Sequence, residues 1–145
     1  MIPNKIVIHH EAGNSGFNSV NLYHKEKWGS ISSLGFYIGY HYYIEKNGRL
    51  YQGRRDNEIG LHCIPNDGKI GICLQGNSNN EKPTEAQFKT LIELTEKLKK
   101  AYNIQAVHGH RDLWKTECPG TELYKWVLEQ KISWLKKLIA FLKGR

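Results

Sequence analysis

A histidine and a cysteine eight positions apart are the residues of this chain best suited to bind a transition metal. His110 and Cys118 lie in a segment rich in glycine, proline and charged residues, a composition that does not suit a single helix. Imidazole and thiolate both suit Zn²⁺, and a catalytic zinc takes three protein ligands while one position stays open for water. A third ligand is therefore expected from another part of the chain.

The best source of this third ligand is the first predicted strand. The apolar run at residues 5–8 indicates a buried strand that delivers His9 and His10 at its carboxyl end. Sites gather at such strand ends in open α/β sheets. Successive side chains of a strand point to opposite faces, so only one of the two histidines is expected to reach the metal. The residues thus predict a His-His-Cys zinc site, which points to a hydrolase.

Two further polar residues, His108 and Glu11, could also take part in the predicted zinc site. His108 lies on the same face as His110 in an extended chain, so it is a rival ligand or a hydrogen-bond partner of one. Glu11 follows the first histidine pair, where a carboxylate could act as a base or orient a ligand. For Glu11 we favour a third role, that of a solvated surface residue.

Length and composition indicate one globular domain over residues 1–145. A chain of 145 residues with 39% hydrophobic and 24% charged residues can bury a substantial core. No apolar run approaches the roughly 20 residues that cross a bilayer, and the amino terminus shows no signal-peptide hydrophobic region. Three cysteines are too few, and odd in number, for a disulfide framework. These features predict synthesis in a reducing cytoplasm without export by a signal of its own.

The net charge of +7 attracts anionic polymers without choosing among them. Nucleic acid, anionic membranes and cell-wall polymers would all be attracted to such a basic surface. No nucleic-acid recognition motif accompanies the charge, so we expect no specific nucleic-acid partner.

The order of predicted elements indicates an α/β domain with a mixed sheet covered by helices. A hairpin is predicted at Asn47-Gly48, and Thr84 with Gln87 forms a capping box at the start of a helix. In that helix the stripe at helical spacing comprises Phe88, Leu91, Ile92, Thr95 and Leu98. Strands are predicted at residues 5–9, 37–44, 50–53, 70–76 and 104–108, and helices at 19–28, from 84 and from 121.

Residues 128–145 predict a basic amphipathic helix. They include five basic residues and one acidic residue. We expect a surface helix that packs on the sheet, with one apolar face turned inwards that comprises Ile132, Leu135, Leu138, Ile139 and Leu142. The alternative is a helix that contacts an anionic membrane, which exposure of Trp134 and Phe141 beside the lysines would favour.

Taken together and in this order, the motifs resemble those of the type-2 N-acetylmuramoyl-L-alanine amidases, a family that includes phage amidase endolysins and peptidoglycan recognition proteins. The similar segments are residues 6–13, 39–44, 60–62, 70–76, 109–112 and 116–120. The resemblance implies a single domain with a central mixed β-sheet flanked by helices. It also implies one zinc ion per chain, bound by His9, His110 and Cys118.

The resemblance also suggests roles for other residues. Tyr40 matches the family's catalytic tyrosine and is the best candidate to donate to the oxyanion. Thr116 is a second, weaker catalytic donor, at a position where phage members often have lysine and several recognition proteins have threonine. His62 resembles a substrate-groove residue, and we assign it and His10 to substrate binding. Cys73 takes the position of a glutamate base in intracellular muropeptide amidases. Because this chain has a cysteine in place of that glutamate, we expect Tyr40 to take part in proton transfer instead.

The implied activity is hydrolysis of the amide between N-acetylmuramic acid and L-alanine in peptidoglycan. Zinc would supply the chemistry, since it lowers the pKa of bound water and polarises a carbonyl. We expect a monomeric phage endolysin that stays in the host cytoplasm until lysis and then acts on the cell wall. Two alternatives on the same fold are a peptidoglycan-recognition module that does not cut and a phage regulatory protein that binds another enzyme. The presence of Cys118 favours the enzyme.

Overall fold

A five-stranded mixed sheet organises the fold. The computed structural model describes residues 1–144. The sheet order is β3-β2-β4-β1-β5, with β2 and β3 antiparallel and the other neighbours parallel. This architecture confirms the predicted fold class. The strands are β1 (Lys5–His10), β2 (Tyr42–Ile44), β3 (Leu50–Gln52), β4 (Lys69–Leu74) and β5 (Val107–Gly109).

Helices cover both faces of the sheet, which explains why β1 and β4 are buried along nearly their whole length. On one face, Leu91 and Leu98 pack with Leu123 in the larger core cluster. On the other face, Phe17 and Val20 pack in a smaller cluster. The helices are α1 (Phe17–Trp28), α2 (Glu85–Tyr102), a short 3-10 helix (His110–Asp112) and α3 (Thr121–Lys143).

The predicted start of α2 is confirmed, while its buried face differs by one position. The Thr84 side chain accepts from the Gln87 backbone, and the Gln87 side chain accepts in return, which completes the capping box. Leu94 is buried, whereas Ile92 of the predicted stripe is 46% exposed. The helix turns the face that contains Leu91 and Leu94 towards the sheet, and Ile92 lies outside that face.

The strand predicted at residues 37–44 is shorter in the structure, because the chain forms a loop before β2. The amides of Tyr37 and Ile38 donate to Asn21 Oδ1 at 2.7 and 3.0 Å. The amide of Gly39 donates to His24 Nδ1 at 2.8 Å. Side chains of α1 therefore satisfy backbone donors that a strand would pair with a neighbouring strand.

The prediction that the apolar residues of the tail face inwards is wrong. The first turns of α3 bury Leu123, Trp126 and Val127. The residues predicted to face inwards are exposed: Ile132 by 52%, Leu135 by 47%, Leu138 by 38%, Ile139 by 50% and Leu142 by 56%. A helix of 23 residues is about 34 Å long, whereas a six-residue strand spans about 20 Å, so α3 is longer than the sheet on which it packs. Arg145, the last residue of the predicted helix, lies outside the described residues. Within residues 1–144, no helix combines the length and apolarity needed to cross a membrane.

We predict that leucine-to-alanine substitutions at the two ends of α3 have different effects on stability. Leu123→Ala removes a fully buried side chain and should lower the free energy of unfolding by about 2–5 kcal/mol. Leu135→Ala, at an exposed position of the same helix, should change it by less than about 0.5 kcal/mol. Urea denaturation followed by circular dichroism measures both values. An equal loss in the two variants would mean that the end of α3 packs on the domain.

Candidate metal centre

The structure brings His9, His110 and Cys118 together, with one potential ligand atom of each within 4.8 Å of the others. His9 lies at the carboxyl end of β1, and His110 follows β5 directly. Since β1 and β5 are parallel neighbours, these two ends meet at the same edge of the sheet. The His9 and His110 ring centroids are 4.6 Å apart. Cys118 reaches the same point from the loop before α3.

The spacing of these groups fits a tetrahedral zinc ion. His9 Nδ1 lies 3.5 Å from Cys118 Sγ. Zinc–nitrogen bonds of about 2.0–2.1 Å and zinc–sulfur bonds of about 2.3 Å at tetrahedral angles separate the two donors by about 3.6 Å. Within residues 1–144, no other set of three histidine, cysteine or acidic residues converges in this way. Two imidazoles and one thiolate are also a donor set that zinc prefers.

Asp112 anchors the segment that carries His110. Its carboxylate accepts from the Gly109 amide at 2.8 Å, from the Tyr124 hydroxyl at 2.5 Å and from Lys131 Nζ at 2.6 Å. Asp112 thereby links the end of β5 to α3. Gly109 is required at this junction, because a Cβ there would lie 2.8 Å from a ring carbon of Tyr124. Sequence reasoning missed Asp112, although its place three residues after Gly109 is that of an acidic capping residue.

A chain of hydrogen bonds determines which nitrogen of His9 is free to bind metal. His62 Nε2 lies 3.2 Å from the Lys69 carbonyl oxygen, which only accepts, so this nitrogen carries the proton. His62 Nδ1 is then the acceptor in its 2.9 Å contact with His9 Nε2. His9 Nδ1 is consequently unprotonated, and this is the atom that faces Cys118 Sγ. The arrangement matches the hydrogen-bonded support that metal-binding histidines usually have.

Gly71 of β4 provides the space for the His62 ring, which supports His9. A Cβ at Gly71 would lie 2.6 Å from the ring of His62, so only glycine leaves room for the imidazole beside the strand. Burial lowers the pKa of His62 to about 3. Burial likewise lowers the pKa of His9 well below its ordinary value, and the neighbouring His62 and His110 add to the effect. All these imidazoles are therefore neutral at neutral pH, the form that binds metal.

Cys118 is the candidate ligand that would have to lose a proton when a metal ion binds. Burial raises the pKa of its thiol to about 12, while the His10 backbone and the Arg111 charge act in the opposite direction. A metal ligand must be a thiolate, so binding of a cation would displace a proton from Cys118. The loop around it is ordered by the Arg111 amide, which donates to the Cys118 carbonyl at 2.8 Å.

Tyr40 lies beside His9, one of the three candidate ligands. Its ring centroid is 5.1 Å from that of His9. Burial holds the pKa of Tyr40 well above its ordinary value, and the thiols of Cys73 and Cys118 act in the same direction. Cys73 is fully buried at the same side of the sheet core, in the cluster against which Tyr40 packs. Tyr40 is thus a hydrogen-bond donor rather than a base in this position.

The metal ligands line an open cavity of about 770 Å³. Trp28 and Trp114, which are 41% and 52% exposed, form part of its wall. Thr116 lies beside Cys118, whose amide donates to Thr116 Oγ1 at 3.2 Å. A cavity of this size is in the range of those that bind small molecules, and a bound molecule would contact His9, His110 and Cys118. The other predicted site residues in the lining are Tyr40, His62, Thr116 and His10.

Three polar residues that lie close to His9 or His110 in the sequence are outside the ligand group. His10 is buried, and its Nδ1 accepts from the Ser78 amide at 3.1 Å. His108, the rival ligand, is half-buried and does not converge with the other three. Glu11 is not simply solvated as predicted, because the Tyr43 hydroxyl donates to its Oε2 at 2.5 Å. Substrate contact by His10 and His62 stays a prediction. Both nitrogens of His62 are already engaged, which leaves the carbon atoms of its ring for such a contact.

Comparison with known proteins identifies the family. The family described as N-acetylmuramoyl-L-alanine amidase (Amidase_2) matches residues 1–121, and the chain belongs to it. The structure of the N-acetylmuramoyl-L-alanine amidase LysC from Clostridium intestinale is similar, with 37% identity, a TM-score of 0.76, and coverage of 84% of this chain and 79% of that one.

Two relatives show the range of the family. Peptidoglycan-recognition protein SC2 of Drosophila melanogaster is 33% identical over 132 residues, which cover 81% of this chain and 68% of the relative. The endolysin of Enterobacteria phage T3 is 29% identical over 119 residues, which cover 78% of this chain and 75% of that protein. The chain is thus similar both to a protein named for peptidoglycan recognition and to an endolysin.

We predict that His62 supports metal binding through His9. His62→Ala removes the acceptor for His9 Nε2–H and should weaken zinc binding about 10–100-fold. His62→Gln keeps one acceptor and one donor and should restore most of the affinity. Competition with a chromogenic chelator measures the zinc affinity.

His108→Ala serves as the control, because it removes a half-buried histidine that lies outside the ligand group. Equal zinc affinities in His62→Ala, His62→Gln and the unmodified protein would contradict the role of His62.

Proposed function

We propose that this protein is a zinc-dependent N-acetylmuramoyl-L-alanine amidase that hydrolyses the amide between N-acetylmuramic acid and L-alanine in peptidoglycan. The observation that carries the proposal is the convergence of His9, His110 and Cys118 in an open cavity beside Tyr40. Membership of the amidase family and the similarity to LysC support it. A module that only binds peptidoglycan would need the cavity but not the three ligands.

The residues around the cavity have separate roles in this proposal. When bound by His9, His110 and Cys118, zinc would polarise the scissile carbonyl and activate water. The neutral Tyr40 hydroxyl is suited to donate to the oxygen on which negative charge develops. Thr116 is a second donor, because its bond to the Cys118 amide uses the oxygen and leaves the hydroxyl proton for a substrate. It adds no positive charge.

We further propose that the protein is a monomeric phage endolysin that stays in the host cytoplasm until lysis. The similarity to the phage T3 endolysin supports this context. A second candidate is a peptidoglycan-recognition module that does not cut, which the 33% identity to protein SC2 supports. Products distinguish the two, since a recognition module releases none.

The proposed function is tested by the products formed from purified peptidoglycan. The protein should release new amino groups without new reducing sugar ends. Cys118→Ala should lose most of the bound zinc and nearly all of this activity. Cys63→Ala is the matched control for zinc content, because it removes a buried thiol of the cavity lining that is outside the ligand group and should keep the zinc.

New reducing ends would identify a muramidase instead. Binding to peptidoglycan without any release of amino groups would favour the recognition module. Full activity of the protein after removal of zinc would contradict the proposal as a whole.

We predict that Tyr40 contributes to turnover and not to zinc affinity. Tyr40→Phe removes only the hydroxyl and should lower the rate of amide hydrolysis about a hundredfold, the cost of losing one oxyanion donor. Zinc content should be unchanged. Tyr37→Phe, which lies in the same loop but outside the cavity lining, is the control. An unchanged rate in Tyr40→Phe would transfer the donor role to Thr116.

A further inference from the structure

The end of α3 presents an apolar stripe to solvent. Its members recur at intervals of three and four residues and so share one face of the helix. Exposed apolar patches of this kind usually mark an interaction site. The family match ends at Thr121, so the stripe lies outside the segment that defines the family. The exposed members are Leu128 (42%), Ile132 (52%), Leu135 (47%), Leu138 (38%), Ile139 (50%) and Leu142 (56%).

The charge next to the stripe is strongly positive. Residues 128–145 hold five basic residues and one acidic residue, a net charge of +4 (5 − 1) out of +7 for the whole chain, with one of the five, Lys131, paired with Asp112. Lys136 follows Ile132 by one turn, and Lys143 follows Ile139 in the same way, so both lysines border the stripe. This combination of apolar and basic residues is complementary to a bilayer with anionic headgroups.

A second copy of the chain fits the stripe less well. The positions from Leu128 to Leu142 cover about two heptads, fewer than the roughly three to four that indicate a coiled coil. Lysines border the stripe in every copy, so parallel pairing would bring like charges together.

Since no helix within residues 1–144 could span a bilayer, a membrane-bound α3 would lie in the plane of the surface.

We propose that the exposed face of α3 from Leu128 to Leu142 binds the surface of a bilayer that carries anionic headgroups. The leucine and isoleucine side chains enter the boundary of the acyl chains, and the bordering lysines meet the phosphates. The helix is linked to the metal centre, because Lys131 binds Asp112 at 2.6 Å in the segment that carries His110. Binding of α3 therefore holds the cavity close to the membrane surface.

The test uses the full chain and vesicles of phosphatidylcholine, with or without phosphatidylglycerol, in a co-sedimentation assay. We expect the partition coefficient for the anionic vesicles to be at least about tenfold higher than that for the neutral ones. Raising the salt from about 0.1 M to about 1 M should weaken it, because the screening length falls from about 10 Å to about 3 Å.

Two matched variants test whether the stripe is the binding face. Ile139→Glu places a charge in the stripe and should weaken partitioning about tenfold or more. Ala140→Glu places the same charge at the next exposed position, off the stripe, and should have a clearly smaller effect. Both variants should melt like the unmodified protein. Cleavage of soluble peptidoglycan fragments should be unchanged in both, which separates this proposal from the proposed amidase function.

Three results would overturn the proposal. Equal partitioning onto neutral and anionic vesicles would exclude recognition of the headgroup charge. Equal losses in Ile139→Glu and Ala140→Glu would exclude the stripe as the binding face. A protein that ignores vesicles, but is a dimer in light scattering and becomes a monomer in Ile139→Glu, would show that a second copy covers the stripe.

Discussion

The parallel pairing of β1 with β5 is the constraint on which the site depends. In this register Ile8 lies opposite Gly109, so the residues that follow them, His9 and His110, lie side by side. A slip of one residue would turn His9 to the other face of the sheet. The apolar residues of β1 are buried on both faces and hold the register in place. Packing in the core therefore determines the distance between the two imidazoles.

A second set of contacts adapts the same residues to metal binding. Burial keeps His9 neutral, and its contact with His62 directs the unprotonated Nδ1 towards Cys118. Cys118 is in turn the group whose ionised form most requires a neighbouring positive charge. A buried set of neutral imidazoles and one thiol is costly to ionise without a cation. The metal centre and the fold are thus expected to stabilise each other.

Sequence patterns predicted the parts of the structure that depend on residue type. Buried strands, the capping box of α2 and the approach of His9 to His110 all follow from apolar runs, caps and strand ends. The loop before β2 was not predicted, because its backbone donors are satisfied by Asn21 and His24 from a distant helix. The support of His9 involves the Lys69 carbonyl, a backbone group that has no signature in residue types. The exposed end of α3 was missed because periodicity identifies an apolar face without showing what covers it.

The most direct test of this account is the position of a bound metal in a crystal of the zinc-loaded protein, determined from anomalous scattering at the zinc edge. We expect one peak per chain, within about 2.0–2.3 Å of His9 Nδ1, a nitrogen of His110 and Cys118 Sγ. His62 should remain in contact with His9 Nε2. A peak on His10 or His108, or binding through His9 Nε2 with His62 displaced, would contradict it.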